Sequence, residues 1–567
     1  MPAISYKEFM EEVKGRLATL DHEKLLNLII SWADKTPSSK RQEFLDGFVL
    51  PEERKEAVSS AKTLLDEIEV FAKRVENGDY CDGWGWDEEI GEERDWGDEG
   101  WADEMDELFL QARSLLLQGE YRLAEDACTK LFGILEMGQE PGHLPGNPDY
   151  STMLKADLME QVALFLRCVY MNTAPLERPA CVYEAMNDYG YLAGELKLQS
   201  IINASGSVLP DLDGFLAEWI DFLTRQGGVR VSSWLREAVW LKGGIPAISA
   251  FARQHADQYP RAYMDWIEAL EKEADTEAVL QAAREGLAAI PRDYNTRSEV
   301  AGVLARIGEK RDDHALKLEG YKERFYSEPS IRHILDLYIA AIECGRWEEM
   351  RDQAEQRIMK LRGKGRASAG YYDRERQTSS VSEGIVCSVL LLGGRYKQVF
   401  EMCRNKGSLG WSSVDHPKPV VITFTMVVLA KKGFLSNILM KQWEAAIGNT
   451  SHEADKTYIE KYKQAADHAR ESIPFTWEQE QFYLQWCMDE AGRRVDGIVG
   501  NQHRGSYHKA AGLIVAVAEV LASREREQEG KSFIETYRGK YPRHSAFKSE
   551  LTASMQASHF FNTMSKK

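Results

Sequence analysis

A short turn motif occurs three times in this 567-residue chain and restricts its fold to paired helices. Each copy lies between two amphipathic stretches and joins a glycine, an aromatic residue and a small or flexible apolar residue. The glycine permits a tight turn, and the other two residues share one helical face and let the paired helices approach closely. The copies are Gly119-x-Tyr121-x-x-Ala124, Gly345-x-Trp347-x-x-Met350 and Gly394-x-Tyr396-x-x-Val399.

Helical periodicity extends through the rest of the chain. Within residues 61–78, steps of four, three and four separate Leu64, Ile68, Phe71 and Val75, which predicts a helix with one apolar face. Alternating runs bounded by hairpin turns, which would predict β-strands, are essentially absent. The sequence therefore predicts an all-α protein of tetratricopeptide-like helical hairpins, stacked in an irregular α-solenoid with a separate C-terminal helical block.

Changes in composition divide the chain into five predicted regions. The stretch 362–380 is polar and basic and contains glycine and serine, which is typical of a flexible linker. The longest apolar run, 419–430, is too short to cross a membrane and predicts a buried helix. The predicted regions are an N-terminal helical region (1–78), an acidic tryptophan-rich segment (79–107), a tetratricopeptide-like helical array (108–361), the linker (362–380) and a C-terminal helical domain (381–567).

The segment 79–107 holds most of the net negative charge. It contains fourteen carboxylates and one arginine, Arg94, so its net charge is −13, which leaves −6 of the total of −19 for all other residues. Four of the fourteen tryptophans of the protein also lie in this segment.

Two interpretations of these tryptophans are open. In one, the indoles fill grooves between helices and the carboxylates are only solvated; the helical spacing of Trp101, Met105 and Leu108 favours it. In the other, an acidic surface with aromatic anchors docks a basic partner or imitates nucleic acid. The residues predicted to bind this partner are Trp84, Trp86, Asp87, Glu88, Glu89, Glu92, Glu93, Trp96 and Trp101.

The sequence contains no catalytic or cofactor motif of the phosphate-loop, dinucleotide-binding or nucleophile-elbow kind. His503 and His508 are not spaced to share a helical face, and the acidic cluster lacks the aspartate spacing of a calcium loop. The eight scattered cysteines predict reduced thiols in a cytoplasm. An acidic chain without a basic footprint is not expected to bind nucleic acid directly. We therefore expect a non-enzymatic, cytoplasmic interaction protein that uses neither a cofactor nor a membrane.

Two stretches carry a resemblance to known proteins, 77–127 with its "DGWGWDEEIGEERDWGDEGW" and 495–551 with its "NQHRGSYHKAAG". Both resemble segments of bacterial helical-repeat proteins, some of which bear a SWIM zinc finger. This chain has no C-x-C pair, so no zinc role is implied. Within that group it resembles the finger-less protease substrates of type III-E CRISPR systems, where an RNA-guided effector activates a caspase-like protease (together called Craspase).

The resemblance implies a role in antiviral defence. Cleavage by the caspase-like protease would release fragments that alter a bound extracytoplasmic-function sigma factor or cell growth. The alternative is a generic bacterial helical-repeat scaffold that binds a basic protein.

The resemblance also implies a cut between a methionine and a lysine in the C-terminal third, where the chain has Met440-Lys441. The surrounding pattern predicts a helix of about a dozen residues between Gly433 and Gly448, and helices that short are marginal without tertiary support. Exposure alone would instead favour proteolysis in the linker 362–380.

Overall fold

The structure is a computed structural model that describes residues 54–561, except 89–90, 148, 195, 206, 293, 363–380, 408–415 and 432–435, and also residues 15 and 24. Most of the predicted N-terminal region therefore lies outside the described residues. The chain divides into two compact units, Met1–Ala247 and Ile248–Lys567. The described part is all-α apart from one β-hairpin, which confirms the predicted fold class.

The first unit contains seven described helices and the hairpin. The eighth helical segment is interrupted at Gly244, whose φ of 57° and ψ of −147° are not helical, and the boundary between the units falls shortly after this break. Strands β1 (Cys81–Asp87) and β2 (Glu92–Gly97) lie between the first two helices. The helices are α1 (Arg54–Glu76), α2 (Trp101–Gln118), α3 (Tyr121–Met137), α4 (Leu158–Asn172), α5 (Arg178–Ala193), α6 (Leu198–Asn203), α7 (Leu212–Thr224) and α8 (Val229–Gln254).

The apolar face predicted for residues 61–78 forms the inner side of α1. Leu64, Ile68, Phe71 and Val75 are all buried, and α1 packs against α2 and α3. The β-hairpin connects the end of α1 to the start of α2, so these packed helices position it.

In the second unit, described helices α9 to α14 each pack against the next helix along the chain, as stacked helical hairpins require. The helices of this unit are α9 (Ala262–Lys272), α10 (Thr276–Ala289), α11 (Asn295–Arg311), α12 (His314–Ser327), α13 (Ile331–Glu343), α14 (Trp347–Leu361), α15 (Glu383–Leu392), α16 (Tyr396–Cys403), α17 (Lys418–Leu429), α18 (Asn437–Gly448), α19 (Lys456–Glu471), α20 (Trp477–Val495), α21 (Tyr507–Ser523), α22 (Glu527–Lys540) and α23 (Ser545–Ala557).

All three copies of the turn motif join antiparallel helices as predicted. Gly119, Gly345 and Gly394 have φ values of 87°, 64° and 75°, a left-handed conformation that glycine adopts without a steric penalty. The next helix begins at the aromatic residue of each motif. The third motif position is buried in every copy, so close approach of the paired helices is confirmed.

Helices on both sides of the predicted linker share one apolar core. Helix α13, which precedes the linker, packs against α15 and α19, which follow it. The buried residues of this core extend from Ala305 to Phe561. Residues 363–380 lie outside the described part, so the linker stays a prediction, and the division between the two compact units falls at 247/248.

The expectation that strands are absent is wrong for β1 and β2. The stretch Gly83-Trp84-Gly85-Trp86 alternates small and aromatic residues with a period of two, which is the periodicity of a strand. This stretch lacks the apolar-polar alternation of a half-buried strand, because glycine and charged residues occupy positions where such a strand has aliphatic residues.

Helix α17 contains most of the long apolar run and is buried along its length, as predicted. Among the described helices, none combines the length and the apolar character needed to span a membrane.

Candidate functional site

The acidic tryptophan-rich segment folds into the antiparallel hairpin of β1 and β2. Trp84 pairs with Asp95, and Trp86 pairs with Glu93. Because successive side chains of a strand point to opposite faces, these four residues share one face of the hairpin. We call it the Trp84/Trp86 face.

Exposure separates the four tryptophans of the segment into two groups. The side chains of Trp84, Trp86 and Trp96 are 58%, 61% and 41% exposed, whereas Trp101 is 0% exposed. The groove-filling interpretation therefore holds for Trp101 and not for the other three. A cluster of exposed aromatic side chains is typical of an interaction surface, whereas single exposed apolar residues are common.

Trp101 lies inside the first unit, which corrects its inclusion in the predicted partner-binding set. Its indole Nε1 donates a hydrogen bond to the carbonyl oxygen of Pro145 (2.8 Å), and its ring packs edge-on against Tyr150 (5.6 Å between centroids). Helix α2 begins at Trp101, so the buried indole fixes the point where the hairpin returns to the helical body.

The opposite face of the hairpin already holds a cation of this chain. The guanidinium of Arg94 lies 4.2 Å from the centroid of the Trp96 ring and 3.3 Å from Glu99 Oε1. The Trp96 indole lies over Gly85, where an added Cβ would be 3.4 Å from its Nε1. This is ordinary van der Waals distance, so the ring packs against the strand at position 85.

Contacts at the base of the hairpin hold it on α1 and α2. Tyr80 is buried against Phe71 and donates its hydroxyl hydrogen to Glu104 Oε2 (2.8 Å), and Glu104 also pairs with Arg74. Burial raises the pKa of Tyr80, so its phenol stays protonated and remains a donor. A Cβ on Gly97 would lie 1.9 Å from the carbonyl oxygen of Tyr80, so only glycine fits there.

The loop that follows α3, residues 138–147, contacts β2. The Gly142 amide donates to Asp95 Oδ2 (2.6 Å), and the Gly146 amide donates to the Asp95 carbonyl (3.1 Å). His143 Nδ1 donates to the Val75 carbonyl of α1 (3.0 Å). The loop therefore ties the hairpin to α1 and occupies one carboxylate oxygen of Asp95.

Several carboxylates of the segment remain exposed. Within the described part of the chain, no hydrogen-bond or ion-pair partner is found for the side-chain carboxylates of Asp79, Asp82, Glu88, Glu93 and Glu107. Asp87 and Glu92 contribute backbone to the strands, their side chains lie outside the described part, and Glu89 lies outside it altogether. The hairpin thus offers exposed indoles beside carboxylates available to an external cation.

Met440 and Lys441 lie in the first half of α18, a helix of twelve residues. Lys441 is exposed and Met440 is half-buried, whereas Leu439 and Trp443 are buried. The buried carboxylate of Glu519, from α21, accepts hydrogen bonds from the Ser436 hydroxyl and the Leu439 amide (3.0 Å for the latter). Glu519 therefore caps the N-terminus of α18, a contact that the local sequence does not reveal.

No group of three or more histidine, cysteine, aspartate or glutamate side chains in the described part is arranged to hold a metal ion. All eight cysteines are free thiols. Burial raises the pKa of the Cys128 thiol to about 12, which keeps it in the unreactive protonated form.

The chain matches no protein-family model, and no curated protein matches its sequence at a significant level. The resemblance to protease substrates of CRISPR systems therefore stays a prediction.

Proposed function

We propose that this protein acts by binding, and that its acidic hairpin docks a basic protein partner. The observation that supports the proposal is the exposure of Trp84 and Trp86 beside Glu93 and other carboxylates without partners in the described part. An indole can bury roughly 150–250 Å² at an interface, and exposed carboxylates attract a basic surface before contact. The cytoplasm is the proposed compartment, in keeping with the free cysteines.

A sigma factor is the first partner to test. Its DNA-binding faces are basic, and an acidic surface with aromatic anchors can occupy such a face in place of nucleic acid. The partner proposal includes an extracytoplasmic-function sigma factor because the resemblance implies one. The protein itself is not proposed to bind nucleic acid.

The decisive experiment replaces five carboxylates of the segment 87–93, Asp87, Glu88, Glu89, Glu92 and Glu93, with serine or glutamine. Association with the sigma factor should slow in this variant and in wild type at high salt, because ions screen exposed charges beyond about 8 Å at physiological ionic strength. The matched control replaces five exposed glutamates outside the segment with glutamine: Glu273, Glu277, Glu348, Glu478 and Glu527. Equal association rates for both variants would contradict the proposal.

The more specific proposal is that this protein is the substrate of a caspase-like protease in type III-E CRISPR defence, cut between Met440 and Lys441. Two observations favour this bond: Lys441 is exposed, and α18 is short enough to unwind into an extended form once its tertiary contacts loosen. The generic scaffold role remains the alternative, and it would involve no cut.

N-terminal sequencing of the C-terminal fragment tests the cleavage proposal. After incubation with the activated protease complex, we expect a new N-terminus at Lys441. Replacing Met440 with aspartate should abolish the cut, and the same change at the other Met-Lys pair, Met359-Lys360, is the matched control. A new N-terminus within 362–380 would mean that exposure alone selects the cleavage site.

A further inference from the structure

We infer that the Trp84/Trp86 face binds arginine side chains of the partner, with the guanidinium stacked on an indole and paired with Glu93. This inference rests on the proposed function, because it assigns the chemistry that the docking hairpin recognises. Of the two faces of the hairpin, only the Trp84/Trp86 face is inferred to bind the partner.

The spacing of the two indoles suits a planar cation. Residues two apart on a strand lie about 6.6 Å apart along it, close to twice the contact distance of stacked planar groups. Trp84 and Trp86 are both more than half exposed, so each ring has a free surface. A guanidinium is planar and stacks on aromatic rings, and a partner arginine between the two indoles would contact both.

The cross-strand neighbours supply the opposite charge. Glu93 pairs directly with Trp86, and Cβ atoms of such pairs lie about 4.5–5.5 Å apart. The carboxylate of Glu93 is exposed and has no hydrogen-bond or ion-pair partner in the described part of the chain. Asp95, opposite Trp84, receives the Gly142 amide on Oδ2, which leaves Oδ1 for a further donor. The face thus combines two rings and carboxylate oxygens within reach of one side chain.

The same chemistry already occurs on the opposite face. There the Arg94 guanidinium lies 4.2 Å from the Trp96 ring and forms an ion pair with Glu99. Trp96 therefore holds a cation from its own chain, whereas no cation of the described part lies over Trp84 or Trp86. Because Arg94 already covers Trp96, an arginine of the partner is expected on the Trp84/Trp86 face.

Arginine fits this face better than lysine does. The guanidinium is less strongly hydrated than an ammonium group, and its fork of N–H donors matches a carboxylate while the plane stays on a ring. An ammonium group has no planar surface to stack on an indole, so the indoles favour arginine over lysine. Charge alone would attract both equally.

Isothermal titration of the full-length protein with nona-arginine and nona-lysine peptides tests the inference. We expect wild type to bind nona-arginine more tightly, and the Trp84→Ala/Trp86→Ala double variant to lose about tenfold of that affinity, the rough sum of two exposed cation–π contacts. Nona-lysine affinity should fall much less. Trp477→Ala, at another exposed indole, is the matched control and should leave both affinities unchanged.

The outcomes distinguish the inference from the proposed function. The arginine inference is wrong if wild type binds both peptides equally. It is also wrong if the tryptophan double variant binds nona-arginine as tightly as wild type does while the five-carboxylate variant binds it more weakly. In either case the partner is bound through charge alone. If neither variant changes binding, the hairpin is not the docking site and both fail. A double Trp→Phe variant should retain part of the preference for arginine, and circular dichroism verifies folding.

Discussion

At the scale of single residues, neighbouring tryptophans have opposite roles. Trp101 fills a space bounded by Pro145 and Tyr150, residues distant in the chain, and its indole N–H has an acceptor there. The Trp84 indole has no ring contact or hydrogen bond among the described residues and is mostly exposed. Composition alone treats the two as equivalent, yet their contributions to stability must differ.

Alanine substitutions should separate these roles. Trp101→Ala is expected to lower the free energy of unfolding by about 3–5 kcal/mol, because it removes a fully buried indole and leaves a cavity. Trp84→Ala should change the same quantity by no more than about 0.5 kcal/mol, since an exposed side chain has little to lose. Urea unfolding followed by circular dichroism measures both. A large loss for Trp84→Ala would mean that its indole packs against the protein in solution.

At the scale of elements, α18 depends on a carboxylate from another helix. Glu519 is buried, and burial is the largest cause of its raised pKa, while hydrogen bonds from Ser436, Ser558 and Leu439 act in the opposite direction. Because its pKa is higher in the folded protein than in the unfolded chain, the carboxyl contributes most stability at low pH. That contribution is lost as the pH rises through the raised value.

Two variants at Glu519 should therefore behave differently. Glu519→Ala leaves the Ser436 and Leu439 donors without an acceptor, which should cost about 1–3 kcal/mol and speed amide hydrogen exchange in α18. Glu519→Gln keeps an acceptor without a buried charge, so it should be at least as stable as wild type at pH 7. The stability difference between wild type and the glutamine variant should shrink as the pH falls toward the unfolded pKa of about 4.3. If Glu519→Gln destabilises α18 as much as alanine does at pH 7, the ionised carboxylate is the required cap.

At the scale of the whole molecule, helices before and after residues 363–380 share one apolar core, whose buried residues extend from Ala305 to Phe561. Helix α13 precedes residues 363–380 in the chain and α19 follows them, yet the two helices pack together. An ion pair joins them, with Lys461 Nζ of α19 2.6 Å from Asp336 Oδ1 of α13. The two candidate cuts, one within 363–380 and one between Met440 and Lys441, interrupt the backbone at different kinds of position. One cut lies between intact helices, and the other divides α18 with buried Leu439 on one side and buried Trp443 and Ile447 on the other.

The two cuts should consequently have different effects on stability. A specific protease site placed within 363–380 and cleaved should leave the fragments together on size exclusion, with little change in the thermal midpoint. Cleavage between Met440 and Lys441 should lower that midpoint clearly, because neither part of α18 retains enough length to stay helical. Denaturing gels verify that each sample is cut. Separation of the fragments without denaturant after the 363–380 cut would contradict a shared core.

The sequence by itself determined the features that depend on residues close together in the chain. The left-handed glycines, the helix starts at Trp347 and Tyr396 and the buried face of α1 follow from local conformational preference and a 3.6-residue period. The tryptophan-rich acidic segment was also recognisable as the place of a candidate surface. The alternation of glycine with Trp84 and Trp86 was a local sign of a strand, but its apolar pattern was incomplete.

Only the tertiary structure decided which of these side chains are buried and which are available. Trp101 is buried because a loop after α3 closes over it, and α18 is capped by Glu519 from α21. The shared core across 362–380 likewise depends on contacts between helices far apart in sequence. Burial and pairing are set by groups that meet only after folding, so no local pattern could reveal them.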